Sequence, residues 1–154
     1  MLVNTKFFGE VDIADDKVIT LPQGLLGFED FKRFVILYNS EKSSGNDISW
    51  FQSVEEQAFA VPVVNPLFVK NDYNPVINDE LLEFLGEVDE EGYFVLVTMR
   101  IPGDPKEISC NLKAPIIINP KTLLGCQMIV ENEEYSIRYN IYDVVQALKE
   151  KAGE

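Results

Sequence analysis

The chain has 154 residues, 46% of them apolar, and sets 13 Lys and Arg against 26 Asp and Glu, a formal charge of −13 with no histidine. That length suits one domain with a sizeable core. Such acidity excludes a broad basic face for nucleic acid phosphates, and the missing histidine excludes Ser–His and Cys–His catalysis and histidine-bearing zinc sites.

Short apolar runs broken by turn residues predict a mainly β chain. Val3, Thr5 and Phe7 alternate with polar neighbours, and after Gly9 the alternation resumes at Val11 and Ile13. Val18–Leu21 is a short strand closed by Pro22-Gln23-Gly24. Phe28, Phe31 and Phe34 recur every three residues, which predicts one helical turn leading into a strand over Phe34–Tyr38. The polar stretch Asn39–Asp47 is a surface loop. Strands follow at Ile48–Val54 and Ala58–Val64; Pro62 cannot donate a ladder hydrogen bond, which predicts an edge strand or a bulge there. Asn78 or Asp79 caps a short helix with Leu81, Leu82 and Leu85 on one face and Gly86 at its end. Further strands are expected at Tyr93–Ile101, Ile116–Ile118, Gln127–Glu131 and Tyr135–Tyr139. The tail Tyr142–Lys151 places Val144, Val145 and Leu148 on one helical stripe. The expected architecture is a single, mainly β domain, antiparallel and barrel-like, with two or three short helices: a body over 1–139 and a helical tail over 140–154.

Carboxylates are the most abundant chemistry. Asp79, Glu80, Glu83, Glu87, Asp89, Glu90 and Glu91 crowd one stretch, and Glu131, Glu133 and Glu134 another. Paired acid–base catalysis or a hard-cation site is one reading, although Asp89-Glu90-Glu91-Gly92 lacks the alternating ligands of a calcium loop. A solvated, solubilising surface is a second reading, and an acidic docking surface for a basic partner a third. Cys110 and Cys126 lack companion metal-ligand motifs and read as small core residues with reduced thiols. Gly24-x-x-Gly27 lacks the lysine and spacing of a phosphate loop and reads as a turn. Most of Phe7, Phe28, Phe34, Trp50 and Phe94 are assigned to the core, since aromatics without interleaved Lys and Arg do not make a base-stacking surface. No apolar run reaches the roughly 20 residues that span a bilayer, and Met1–Lys6 lacks the pattern of a signal peptide. A cytoplasmic protein needing no metal or organic cofactor is the expectation.

The least generic stretch is Asn111-Leu112-Lys113-Ala114-Pro115-Ile116-Ile117-Ile118-Asn119. Pro115 pushes Ala114 towards an extended conformation, Ile116–Ile118 continue as a buried strand, and Asn111 is placed to hydrogen-bond its own backbone. This segment resembles the signature of the FliW flagellar assembly factor family. The likeness extends to Thr5-Lys6-Phe7-Phe8-Gly9, to Leu21-Pro22-Gln23-Gly24-Leu25-Leu26-Gly27-Phe28 with Phe34–Leu37 after it, to Phe51–Val54, to Ala58–Val61 and to the Asn65-Pro66 break. The resemblance implies a cytoplasmic β-barrel-like protein that is not an enzyme. It further implies binding to CsrA, a small dimeric translational repressor, whose silencing of flagellin mRNA such factors relieve allosterically, and binding to flagellin as a competing partner.

Two function classes follow. The first is a protein-binding module that captures CsrA through its acidic clusters and flagellin through apolar anchors. Those anchors are expected around Pro62–Phe68, including Leu67 and Phe68, and on the stripe Val144, Val145 and Leu148. The second is a ligand-binding β-barrel or a small carboxylate-dependent enzyme. Acidic residues converging in a deep apolar pocket favour the second; acidic residues spread over the outside favour the first.

Overall fold

The computed structural model describes residues 1–38, 48–88 and 92–152, with no side chain described beyond residue 147. The predicted loop Asn39–Asp47, the carboxylates Asp89, Glu90 and Glu91, and the side chain of Leu148 lie outside the described residues.

A short hairpin, β1 (Leu2–Asn4) and β2 (Glu10–Asp12), begins the chain. It is tied to the body by Lys6 N–H donating to Gln52 Oε1 at 2.9 Å and by Phe7 packing on Trp50 with ring centroids 4.4 Å apart. Seven strands then close a barrel: β3 (Ile19–Thr20), β4 (Arg33–Leu37), β5 (Ser49–Ser53), β6 (Ala60–Val64), β7 (Phe94–Arg100), β9 (Ile116–Asn119) and β10 (Leu124–Gln127). β3 to β7 pair in sequence order except that β3 also meets β10 in parallel, and β9 pairs with both β10 and β7 to complete the circle. Every other pairing is antiparallel. Closure removes the open sheet edges that a free β9 would present. Beyond β7 the strands β8 (Ser109–Cys110) and β11 (Tyr139–Asn140) extend the sheet.

Alternation along the strands builds two cores. Phe34, Phe51, Val63, Leu96, Ile116 and Ile118 fill the barrel with Ile19, Leu21 and Leu25, and Phe34 stacks on Phe51. Their neighbours Val64, Val97 and Met99 point outward and are covered by Ile108, Leu112, Val130, Tyr135, Ile141 and Val145. Three helices serve this second layer or its surroundings: α1 (Pro66–Val69), α2 (Asp79–Leu85) and α3 (Tyr142–Ala152). Val145 of α3 is buried in the outer core, so the helical tail packs on the body.

Several expectations are corrected. β6 is not an edge strand, since β5 and β7 flank it. Its register with β7 covers only Val63 and Val64, and β7 turns to β8 from Met99 onward, so the proline nitrogen faces the side where the ladder has ended. The strand expected at Gln127–Glu131 is displaced to Leu124–Gln127. Met128 and Val130 donate to Pro115 O and Lys113 O instead, and Pro115 has no N–H with which to return the bond. Of Tyr135–Tyr139 only Tyr139 is strand; Tyr135 instead turns inward, buried, with its ring tilted against that of Tyr73 at 4.5 Å between centroids. The Phe28/Phe31 spacing forms two successive turns rather than a helical turn, Gly27 lying at φ +87°. The Asn65-Pro66 break is the start of α1, where Asn65 Oδ1 caps Leu67 N–H. The first strand stops at Asn4 because Thr5 Oγ1 closes a turn by donating to Gly9 O and accepting from Phe8 N–H. Phe34 is core as expected, while Phe7 and Phe28 remain about half exposed.

Candidate protein-binding face

The segment singled out in the sequence holds two acidic arms in place. Asn111 Oδ1 accepts from Lys113 N–H and Ala114 N–H, forming the turn expected of it. That turn aims Lys113, whose Nζ donates to Asn132 O at 2.9 Å and so pins the turn that carries Glu131, Glu133 and Glu134. Three residues after Lys113, β9 enters the barrel wall with Ile116, Ile117 and Ile118 buried. It ends at Asn119, which is fully buried: Nδ2 donates to Leu85 O at 2.8 Å and to Glu87 O at 3.0 Å, at the C-terminal end of α2. Thr122 Oγ1 also donates to Leu85 O, and Tyr93 Oη donates to Leu82 O and Gly86 O. Gly86 at φ +91° ends the helix, a conformation in which a side chain is strained.

The two arms meet. Asn78 caps α2 by accepting from Glu80 N–H. Just before it, Val76 N–H donates to Asn132 Oδ1 at 2.9 Å and Asn74 N–H donates to Tyr135 Oη at 2.7 Å. The start of α2 therefore abuts the 131–134 turn, although the two lie more than fifty positions apart. Asp79, Glu80, Glu83 and Glu87 on one arm and Glu131, Glu133 and Glu134 on the other are all exposed. The Glu134 carboxyl is held below the usual carboxylate range by its own backbone N–H and by the Asn132 side-chain amide. Between α2 and β10 lies a cleft of about 370 Å³ with Leu81, Phe84, Cys126 and Met128 as its apolar lining and Glu80 and Gln23 among its polar groups. Phe84 is 47% exposed, and Val76 and Ile129, each next to a residue of this face, are 64% and 62% exposed. Carboxylates around an exposed apolar centre suit a partner with a basic rim and an apolar anchor. The spacing of carboxylates signalled the arms; nothing local signalled Phe84, Val76 or Ile129, whose exposure is set by what fails to cover them.

The expected apolar anchors are not gathered in one place. Leu67 is 53% exposed, whereas Phe68 and Val144 lie against the outer core and Val145 is buried within it. A groove of about 590 Å³ opens at one barrel mouth, walled by Ile19, Ile36, Phe94 and Ile118. Asp12 and Asp16 reach it, but Asp12 is engaged by the N-terminal ammonium at 3.2 Å. Among the described residues no three His, Cys, Asp or Glu side chains stand together as a metal site, and no helix is long and apolar enough to cross a membrane. Burial pushes the Cys110 thiol up to about 12 and raises that of Cys126, so both are neutral thiols near pH 7.

The described carboxylates of the two arms lie on the outside of a closed barrel and border an apolar cleft, the layout of a binding surface. The chain belongs to the FliW protein family, whose profile matches residues 2–141. It is 43% identical over 155 residues to the flagellar assembly factor FliW of Lachnoclostridium phytofermentans, covering 100% of this chain and 99% of that protein. It is 37% identical to the factor of the same name from Thermotoga neapolitana, covering 97% of this chain and 98% of that one. A crystal structure of the flagellar assembly factor FliW superposes with a TM-score of 0.82 at 26% identity, covering 92% of this chain and 96% of that one.

Proposed function

We propose that this protein is a cytoplasmic, non-enzymatic flagellar assembly factor that captures the translational repressor CsrA and thereby relieves its repression of flagellin mRNA, with flagellin as a competing partner. The observation that carries the reading is the joining of two acidic arms around the apolar cleft of α2 and β10. An RNA-binding repressor presents cationic surface, so a face carrying Asp79, Glu80, Glu83, Glu87, Glu131, Glu133 and Glu134 steers it in and disfavours RNA phosphate nearby. Phe84 and Leu81 supply the desolvated centre from which affinity comes. Leu67, exposed on α1, is the anchor assigned to flagellin.

Purified CsrA and flagellin, each immobilised and then set in competition, test the reading. Capture of both, with flagellin releasing CsrA, supports it. Replacing Glu131, Glu133 and Glu134 by Gln, and separately Glu80, Glu83 and Glu87, is expected to slow CsrA association at low salt and flatten its salt dependence, while Phe84→Ala speeds dissociation. Failure to capture CsrA, or association unchanged in both triple variants, overturns it.

A further inference from the structure

A second surface differs in sign from the acidic face. Where β7 leaves β6 and takes up β8, a cleft of about 250 Å³ opens between Thr98, Arg100, Ser109, Asn111, Ile137 and Arg138. In a chain with twice as many acids as bases, its two arginines form no ion pair among the described residues. Ser109 is only 5% exposed, and its hydroxyl has no hydrogen-bond partner there, although it lines the cleft. The Thr98 hydroxyl and the Asn111 Nδ2 are likewise without partners among the described residues, Asn111 using only its Oδ1 for the turn. Among the described residues no buried side-chain polar atom lacks a partner, so these donors are open to the cleft, where water or a ligand group meets them. Exposed Ile137 beside the cleft, 64% exposed, and Ile101 next to Arg100, 49% exposed, add apolar surface.

We propose that this cleft docks an acidic protein segment, taking one carboxylate between Arg100 and Arg138 and an adjacent aliphatic side chain against Ile137. Guanidinium groups bind carboxylates through paired N–H donors, and the Ser109 and Thr98 hydroxyls and the Asn111 amide complete the donor set. Charge complementarity selects this occupant: two guanidinium groups beside exposed Ile137 suit one carboxylate next to an aliphatic side chain, whereas a polyphosphate such as RNA brings many charges for the −13 of the whole chain to repel and no aliphatic group for Ile137. The surface is separate in chemistry from the acidic face, which suits a basic partner.

The test is a titration of the full-length 15N-labelled protein with an N-acetylated, C-amidated Leu-Asp-Ile-Glu-Leu peptide, with its Asn/Gln counterpart, with inorganic phosphate and with a short single-stranded RNA. The acidic peptide is expected to shift the amides of Thr98, Arg100, Ser109, Asn111 and Arg138 in one saturable process. The Asn/Gln peptide should bind about tenfold more weakly, as should the acidic peptide to the exposed double variant Arg100→Gln/Arg138→Gln. Replacing Glu131, Glu133 and Glu134 by Gln leaves the response at these amides in place. Equal binding of the two peptides, tighter binding of phosphate or RNA, or full affinity in the double variant each overturns the proposal. So does a folded protein whose cleft amides do not respond to the acidic peptide.

Discussion

Asn119 is the most informative single side chain to remove. It is fully buried and makes four hydrogen bonds: from Nδ2 to Leu85 O and Glu87 O, and to Oδ1 from Lys121 N–H and Thr122 N–H. Asn119→Ala breaks all four. The bond to Leu85 O counts most, because Leu85 is also fully buried and its carbonyl keeps only Thr122 Oγ1 at 3.1 Å. Glu87 is exposed, so water can replace that partner. At roughly 1 kcal/mol for each bond lost in or near the interior, with the exposed one discounted, the variant should lose about 3 kcal/mol. In a domain of this size that lowers Tm by about 6–12 °C. Urea unfolding and calorimetry give the stability. Hydrogen exchange then tests the mechanism, since α2 amides should lose protection before those of β9, with CsrA association slowed as the acidic arm loosens. Asn119→Asp keeps the acceptor but sets a carboxylate oxygen against two carbonyls, so it should be at least as costly. A loss below about 1 kcal/mol, or uniform loss of protection across the barrel, would refute the account of Asn119 as the tether of α2.

Other outcomes follow from single sites. Gly24→Ala should be severely destabilising in thermal unfolding, because φ is +69° and a Cβ would stand 2.6 Å from the Glu29 Cα with no flexible side chain to yield; near-parental stability would mean that the Pro22–Glu29 turn relaxes. Burial raises the Glu55 carboxyl, but the Lys32 and Arg33 backbone N–H groups at 2.7 and 2.8 Å and the charges of both side chains outweigh it, so the folded value is lowered. Its contribution is therefore present above the unfolded value near 4.5 and lost as pH falls through the lower folded value. Accordingly, Glu55→Gln should destabilise at pH 7, with the gap to the parent closing under acid in denaturant titrations. At pH 8, iodoacetamide should label Cys126 slowly and Cys110 more slowly still, because burial raises both thiols and Cys110 is the more enclosed; rapid labelling of Cys110 in the folded protein would contradict its place in the outer core.

Local chemistry was readable in the amino-acid sequence where a residue acts on its near neighbours. The Asn78 cap, the Gly86 stop and the Asn111 turn depend on contacts within a few positions, and most of the strands β4 to β7 show in their local apolar and β-branched runs even though their ladders are long-range. The acidity was readable too, because charge needs no fold to be counted. The family likeness drew on the order of such patterns along the chain. What tertiary structure alone decided is which distant patterns meet. Closure of the barrel depends on β9 pairing with both β10 and β7, and the acidic face depends on bonds from Val76 to Asn132 and from Asn119 to Leu85, spanning 56 and 34 positions. Pro62 misled for the same reason. Its missing donor was legible, but whether a neighbouring strand needed that donor was set by where β7 changes partners. Exposure behaves likewise: Phe84 and Val145 look alike as apolar residues of amphipathic helices, yet one is open and the other buried because only the second is covered by the outer core. Sequence fixes what each side chain can offer, and long-range packing determines which offers are left facing outward.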